Sequence, residues 1–171
     1  AVDTAQATHA IADHNGPVYM RLPRGNVANV LGEYGYEFKL GKAQMIHDGR
    51  DVLFISTGLM TMRALDAAKR LKADGIDCAV LHCPTIKPLD VETIKTEAAK
   101  SGRLVVTAEN HTIVGGLGEA VAAELLRSGV FVPFKSIALP DEFLDAGALP
   151  TLHDQYGLST DAVVAKIKSW M

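Results

Sequence analysis

Apolar positions along the chain fall into short β-branched runs separated by stretches of helical period. DVLFIST (51–57), DCAVLH (77–82) and LVV (104–106) are continuous apolar runs of the kind that form strands buried on both faces, and VPFKSIAL (132–139) predicts a further strand. AQMIH predicts a short edge strand, with a turn at Asp48-Gly49. Gly58 closes the 51–57 strand, and a helix follows to about Ala73 with Ala64, Leu65, Ala68 and Leu71 on one face and Gly75 as a left-handed cap. Two prolines in CPTIKPLD hold off helix until Asp90, a candidate N-cap. Val91, Ile94 and Ala98 then mark the buried face of a helix ending near Ser101-Gly102. LVVTAENHTIVGGLGEAVAAEL (104–125) reads as strand, polar loop AENH, glycine turn and an Ala/Leu/Val helix reaching Arg127. A short helix is expected around Leu152–Tyr156, then a last one capped by Ser159 or Thr160 with Val163, Val164 and Ile167 inward. The alternating order of strands and helices predicts an α/β fold: three layers, with a mainly parallel, doubly wound sheet between helices joined by right-handed crossovers.

The first 42 residues do not fit that alternation. Residues 2–13 look helical, Asn15-Gly16 punctuates, and PVYMRL (17–22) reads as a strand with Val18, Met20 and Leu22 on one face. One helix and one strand cannot bury themselves. Residues 1–24 are therefore expected to be the tail of an upstream domain, 25–42 (four glycines, no period) a linker, and 43–171 a second domain.

Composition narrows the function. Apolar residues make up 48% of the 171, enough for a core, while no window is long and apolar enough to predict a membrane span. A net charge of −3 with scattered Lys and Arg argues against a nucleic-acid partner. Cys78 and Cys83 match neither a disulfide framework nor a zinc site, and a reduced, cytoplasmic location is expected.

Three predicted strand ends are polar: Ser56-Thr57-Gly58, His82-Cys83 and Glu109-Asn110-His111. Carboxyl ends of parallel strands are where ligands collect. Cys83 as thiolate, His111 as base and Glu109 as orienter would make a nucleophilic triad; the alternative is a buried cysteine beside a hydrogen-bonded loop. VGGLGE (114–119) could offer backbone N–H groups to an anion at a helix start. It departs from the dinucleotide fingerprint, because Val121 stands in the third glycine position and Glu119 would repel a phosphate. Between Leu117 and Arg127 the polar residues cover less than half the helix circumference, which predicts a second buried surface, most simply another subunit. Arg24, directly after the 17–22 strand, could clamp a phosphate or carboxylate.

GPVYMRLPRGN, DVLFISTG, CPTIKPLD and ENHTIVGGLGEAVAAEL, in this order and at these distances, resemble the C-terminal third of transketolases, and the resemblance covers nearly the whole chain. It implies that 1–24 closes a pyrimidine-binding domain and 43–171 is a transketolase-type C-terminal domain serving stability and dimerisation. The family's reaction moves a two-carbon ketol unit between sugar phosphates, with a place in the pentose phosphate pathway. Thiamine diphosphate supplies the chemistry and Mg²⁺ anchors it. The resemblance places the ligands of both, and all catalytic residues, upstream of this chain, so a fragment inactive alone is implied. The partner would be a second copy or the missing N-terminal portion, with Glu109, His111, Leu117 and Val121 as expected subunit contacts. Arg24 matches the family's arginine on the sugar phosphate. 1-Deoxy-xylulose-5-phosphate synthase and the beta subunit of 2-oxoacid dehydrogenases are similar relatives, and a non-catalytic anion-binding module is the alternative of another class.

Overall fold

Successive side chains of the central strands point to opposite faces of the sheet, and that alternation divides the hydrophobic core in two. The computed structural model describes residues 1–23, 27–100 and 102–171. Arg24 lies outside the described residues.

Helix α1 (Val2–Ala12) opens the chain, and a 3₁₀ turn at Leu31–Tyr34 lies within the expected linker. β1 (Gln44–His47), β2 (Val52–Ser56), α2 (Leu59–Ala73), β3 (Cys78–His82), α3 (Val91–Ala98), β4 (Leu104–Thr112), α4 (Leu117–Arg127), β5 (Phe134–Leu139), α5 (Leu149–Gln155) and α6 (Thr160–Trp170) follow. The five strands lie in the order β1-β3-β2-β4-β5. β1 runs antiparallel to β3, and the other pairs are parallel. The expected α/β fold with a mainly parallel sheet is the observed one.

Val52, Phe54, Val80 and Val106 face α2 and α6, packing with Ala64, Leu71, Val163 and Ile167. Leu53, Ile55, Ala79 and Val105 face α3 and α4, packing with Ile94, Ala98, Leu117 and Val121. The connection leaving β2 thus passes over one face, and those leaving its two neighbours pass over the other. This reversal opens a crevice beyond the carboxyl end of β2. Gly58 makes the turn there with φ of 52°, a conformation that favours glycine.

Four expectations are corrected. PVYMRL forms no strand, because no edge of the sheet pairs with it; Tyr19 is 88% exposed. AENH is not a loop: β4 continues through it to Thr112, since the Glu109 carboxylate finds partners inside the fold. α3 stops at Ala98, short of Ser101. The narrow polar face of α4 has a partner within the chain, because α4 packs on α3 as well as on the sheet.

At the opposite end of the sheet, buried Arg103 holds the 48–49 turn. Its guanidinium donates to Glu97 and Asp48, each at 3.1 Å, and to the Gly49 carbonyl. Gly49 lies against the backbone of Cys78, so close that a Cβ would stand 2.3 Å from the carbonyl carbon.

Candidate functional site

The crevice beyond β2 is a cleft of about 200 Å³. One wall is α1, through Ala1, Asp3 and Ala7; the other is Thr57, Gly58, Thr61 and Met62 at the start of α2. Met20, Arg21, Leu22 and Pro23 line it as well. Arg21 donates from Nη1 to the Asn110 carbonyl at 2.9 Å, tying that segment to the end of β4. The cleft therefore joins residues of the expected upstream tail to the carboxyl ends of two strands.

Behind the cleft runs a chain of hydrogen bonds. Ser56 Oγ donates to Thr61 Oγ1 at 3.0 Å, Thr61 Oγ1 meets His82 Nδ1 at 2.7 Å, and His82 Nε2 meets Asp3 Oδ2 at 2.8 Å. The donor order is satisfied when Thr61 donates to Nδ1 and the ring carries its proton on Nε2, facing Asp3. The edge of the Tyr36 ring lies against the imidazole, with centroids 5.1 Å apart. Burial opposes the charge on Asp3, but the hydrogen bond to His82 outweighs it and holds the carboxyl below its usual 3.8. Burial and the neighbouring Asp3 push the Tyr36 hydroxyl upward.

The three groups of the candidate triad each have other surroundings or partners. Cys83 lies in the core with Ile55, Leu81 and Ile94. Burial, reinforced by Asp90, pushes its thiol up to about 12, so a thiolate at neutral pH is suppressed. His111 is half-buried, and its Nδ1 lies 3.1 Å from the Thr112 carbonyl. Glu109, only 2% exposed, accepts from Leu117 N–H at 2.7 Å and Gly118 N–H at 2.8 Å. The amino end of α4, where an anion was a possible ligand, is occupied by the chain's own carboxylate. Leu117 and Val121 are fully buried against the sheet, so their side chains are committed to their own core rather than to a neighbouring subunit.

His82 was legible only as a polar strand end, and Asp3 gave no signal. Their pairing spans 79 residues of sequence, and no local period reports such a contact.

Among the described residues no three His, Cys, Asp or Glu side chains come together as a metal site.

The family model for the transketolase C-terminal domain matches residues 41–163. The chain belongs to the transketolase C-terminal domain family. It is 65% identical over its whole length to a transketolase family protein of Sinorhizobium fredii, covering 50% of that protein. It is 41% identical to the 6-deoxy-6-sulfo-D-fructose transketolase subunit of a Clostridium species, over 95% of this chain and 51% of the relative. A 1-deoxy-D-xylulose-5-phosphate synthase of Heliobacterium modesticaldum is 36% identical over 88% of the chain and 23% of the relative. Among solved structures, a split-gene transketolase described as an inactive beta4 tetramer superposes with a TM-score of 0.87 at 35% identity, covering 97% of this chain and 54% of that one. The chain spans about half the length of the transketolase relatives it matches.

Proposed function

We propose that this transketolase-family chain is the C-terminal section of an enzyme that moves a two-carbon ketol unit between sugar phosphates, and that it does not turn over alone. The cleft carries the reading: it is built jointly by the strand ends of the C-terminal domain and by a segment that belongs to an upstream domain. In this reading residues 1–24 close that pyrimidine-binding domain, 25–42 link, and 43–171 form the C-terminal domain. A family match beginning at residue 41 supports the boundary. The exposed Val18, Tyr19 and Leu22 support it too, since a segment of strand chemistry with uncovered apolar side chains suits a strand whose sheet lies upstream.

Thiamine diphosphate and Mg²⁺ would be held by the N-terminal portion, as part of the same chain or as a separate subunit. Relatives of about twice this length, one named as a transketolase subunit, support that partnership. A homodimer is the accompanying assembly, and of the four expected contact positions His111 is the one with a half-exposed side chain. The free, buried Cys78 and Cys83 suit a reducing cytoplasm. A role within 1-deoxy-xylulose-5-phosphate synthase is the second reading, supported by the synthase relative, but that similarity covers a smaller share of the relative.

Arg24 is the proposed phosphate ligand. In the complete enzyme, Arg24→Ala should raise KM for phosphorylated sugars by roughly tenfold or more, and far less for unphosphorylated analogues, because a charged hydrogen bond is worth about 1.5–3 kcal/mol. Equal effects on both substrates would remove the role.

A further inference from the structure

Asp3 and Thr61 stand on opposite walls of the cleft, and one buried ring joins them. His82 is the last residue of β3 and is 0% exposed. Register with Ser56 of β2 fixes its backbone, and Tyr36 packs edge-on to its imidazole. Its two nitrogens have different duties: Nδ1 is held at 2.7 Å from Thr61 in the first turn of α2, and Nε2 at 2.8 Å from Asp3 of α1.

α1 has a second polar tether. Gln6 donates to the Tyr36 carbonyl at 3.3 Å and accepts from Phe38 N–H at 2.5 Å. Gln6 seats the helix on the linker; Asp3 sets its distance from α2. Met20–Pro23, further along the same segment, also line the cleft.

We propose that His82 is a positioning residue for the sugar-phosphate site, fixing the separation of the cleft walls by bolting Asp3 to Thr61. The proposal rests on the ketol-transfer reading above. His82 does not touch substrate; it acts through the two wall residues it bridges. A histidine suits the task because its rigid ring presents a donor and an acceptor in opposite directions, so one side chain can hold two elements at a set spacing.

The test uses the complete enzyme, this chain with its N-terminal portion, assayed with phosphorylated and unphosphorylated ketoses. His82→Leu and Asp3→Ala should each raise KM for the phosphorylated ketose about tenfold, with kcat changed about twofold or less. The double variant should be no worse than either single, because both remove the same bridge. His82→Gln, which keeps a donor and an acceptor, should recover most of the affinity. A purely structural role would instead reduce the active fraction, lowering apparent kcat at unchanged KM. That pattern, or additive effects in the double variant, would overturn the proposal. Should His82→Leu fail to fold, Asp3→Ala breaks the same bridge from the cleft side and carries the test. Absence of ketol transfer by the unsubstituted enzyme would retire the ketol-transfer reading itself, and the role of His82 with it.

Discussion

The Glu109 carboxylate fills the space that a side chain at residue 116 would need: a Cβ on Gly116 would stand 2.2 Å from Oε2. The φ of Gly116 is −94°, which any residue can adopt, so room rather than backbone freedom requires the glycine. The same carboxylate accepts from the two first N–H groups of α4, and Glu119 accepts from Gly115 N–H at 2.7 Å. A glycine turn that resembled an anion cradle is thus a helix start capped from within.

Removing that cap should cost stability. Glu109→Ala leaves two buried helix N–H groups without acceptors, and a loss of about 3 kcal/mol in urea unfolding is expected. Gly116→Ala should lose about 1–3 kcal/mol by crowding the same carboxylate. The double variant should lose less than the sum, since Glu109→Ala opens the space that Gly116→Ala needs.

Cys83 should be inert. With its thiol pushed up to about 12, thiolate at pH 8 is roughly a thousandfold scarcer than for a free cysteine, before burial restricts access. Iodoacetamide should label the native chain slowly and the urea-unfolded chain rapidly. Rapid stoichiometric labelling of native Cys83 would restore it as a candidate nucleophile.

Much of this scaffold could be read from the chain. Continuous runs such as DVLFIS announce strands buried on both faces, and Asp90 and Ser159 announce helix starts that the structure caps with those side chains. The reading failed where a polar group is satisfied at long range. Glu109 looked like a loop residue because its partners, Leu117 and Gly118, belong to the next helix. PVYMRL has strand chemistry, but a strand needs a neighbour, and Val18, Tyr19 and Leu22 stay exposed in this chain. The His82–Asp3 bridge left no trace in composition or period.

Two groups predict how stability depends on pH. Burial, and secondarily Arg63, hold the His153 imidazole below its usual 6.5, and neither ring nitrogen has a hydrogen-bond partner among the described residues. The unfolded chain takes up this proton first, so the stability associated with neutral His153 is intact above about pH 6.5 and declines as pH falls toward the depressed native value. His153→Leu should flatten that decline and add about 1 kcal/mol at pH 7 by removing unpaired nitrogens. Urea midpoints at pH 7.5 and 5.5 test both effects, and an unchanged pH slope would contradict the assignment.

Asp3 acts lower on the scale. Its native value lies below 3.8, so its contribution is present above pH 3.8 and disappears as pH falls through the depressed value. Asp3→Asn should therefore destabilise at pH 6 and make no difference once the native carboxyl is protonated. Amide exchange across residues 2–12 should report it, because Asp3 ties that helix to β3.

Arg103 predicts a loss of similar size at the other end of the sheet. Arg103→Leu strands the Gly49 carbonyl and leaves Glu97 with Lys100 alone, and about 3 kcal/mol should be lost; the value sits at the low end for a broken buried pair because Glu97 keeps a partner and Asp48 is free to turn to water. The 0% exposure of neighbouring Val105 indicates that the strand itself will persist, so near-native circular dichroism with a lower urea midpoint is expected.

The central claim is that this chain supplies scaffold and part of a cleft, while the chemistry depends on an N-terminal portion. Ketol transfer from a ketose phosphate to an aldose phosphate, measured with thiamine diphosphate and Mg²⁺ for the chain alone and for the chain joined by that portion, tests it most directly. Turnover only in the joined enzyme is the predicted result. Sustained turnover by the chain alone would contradict it.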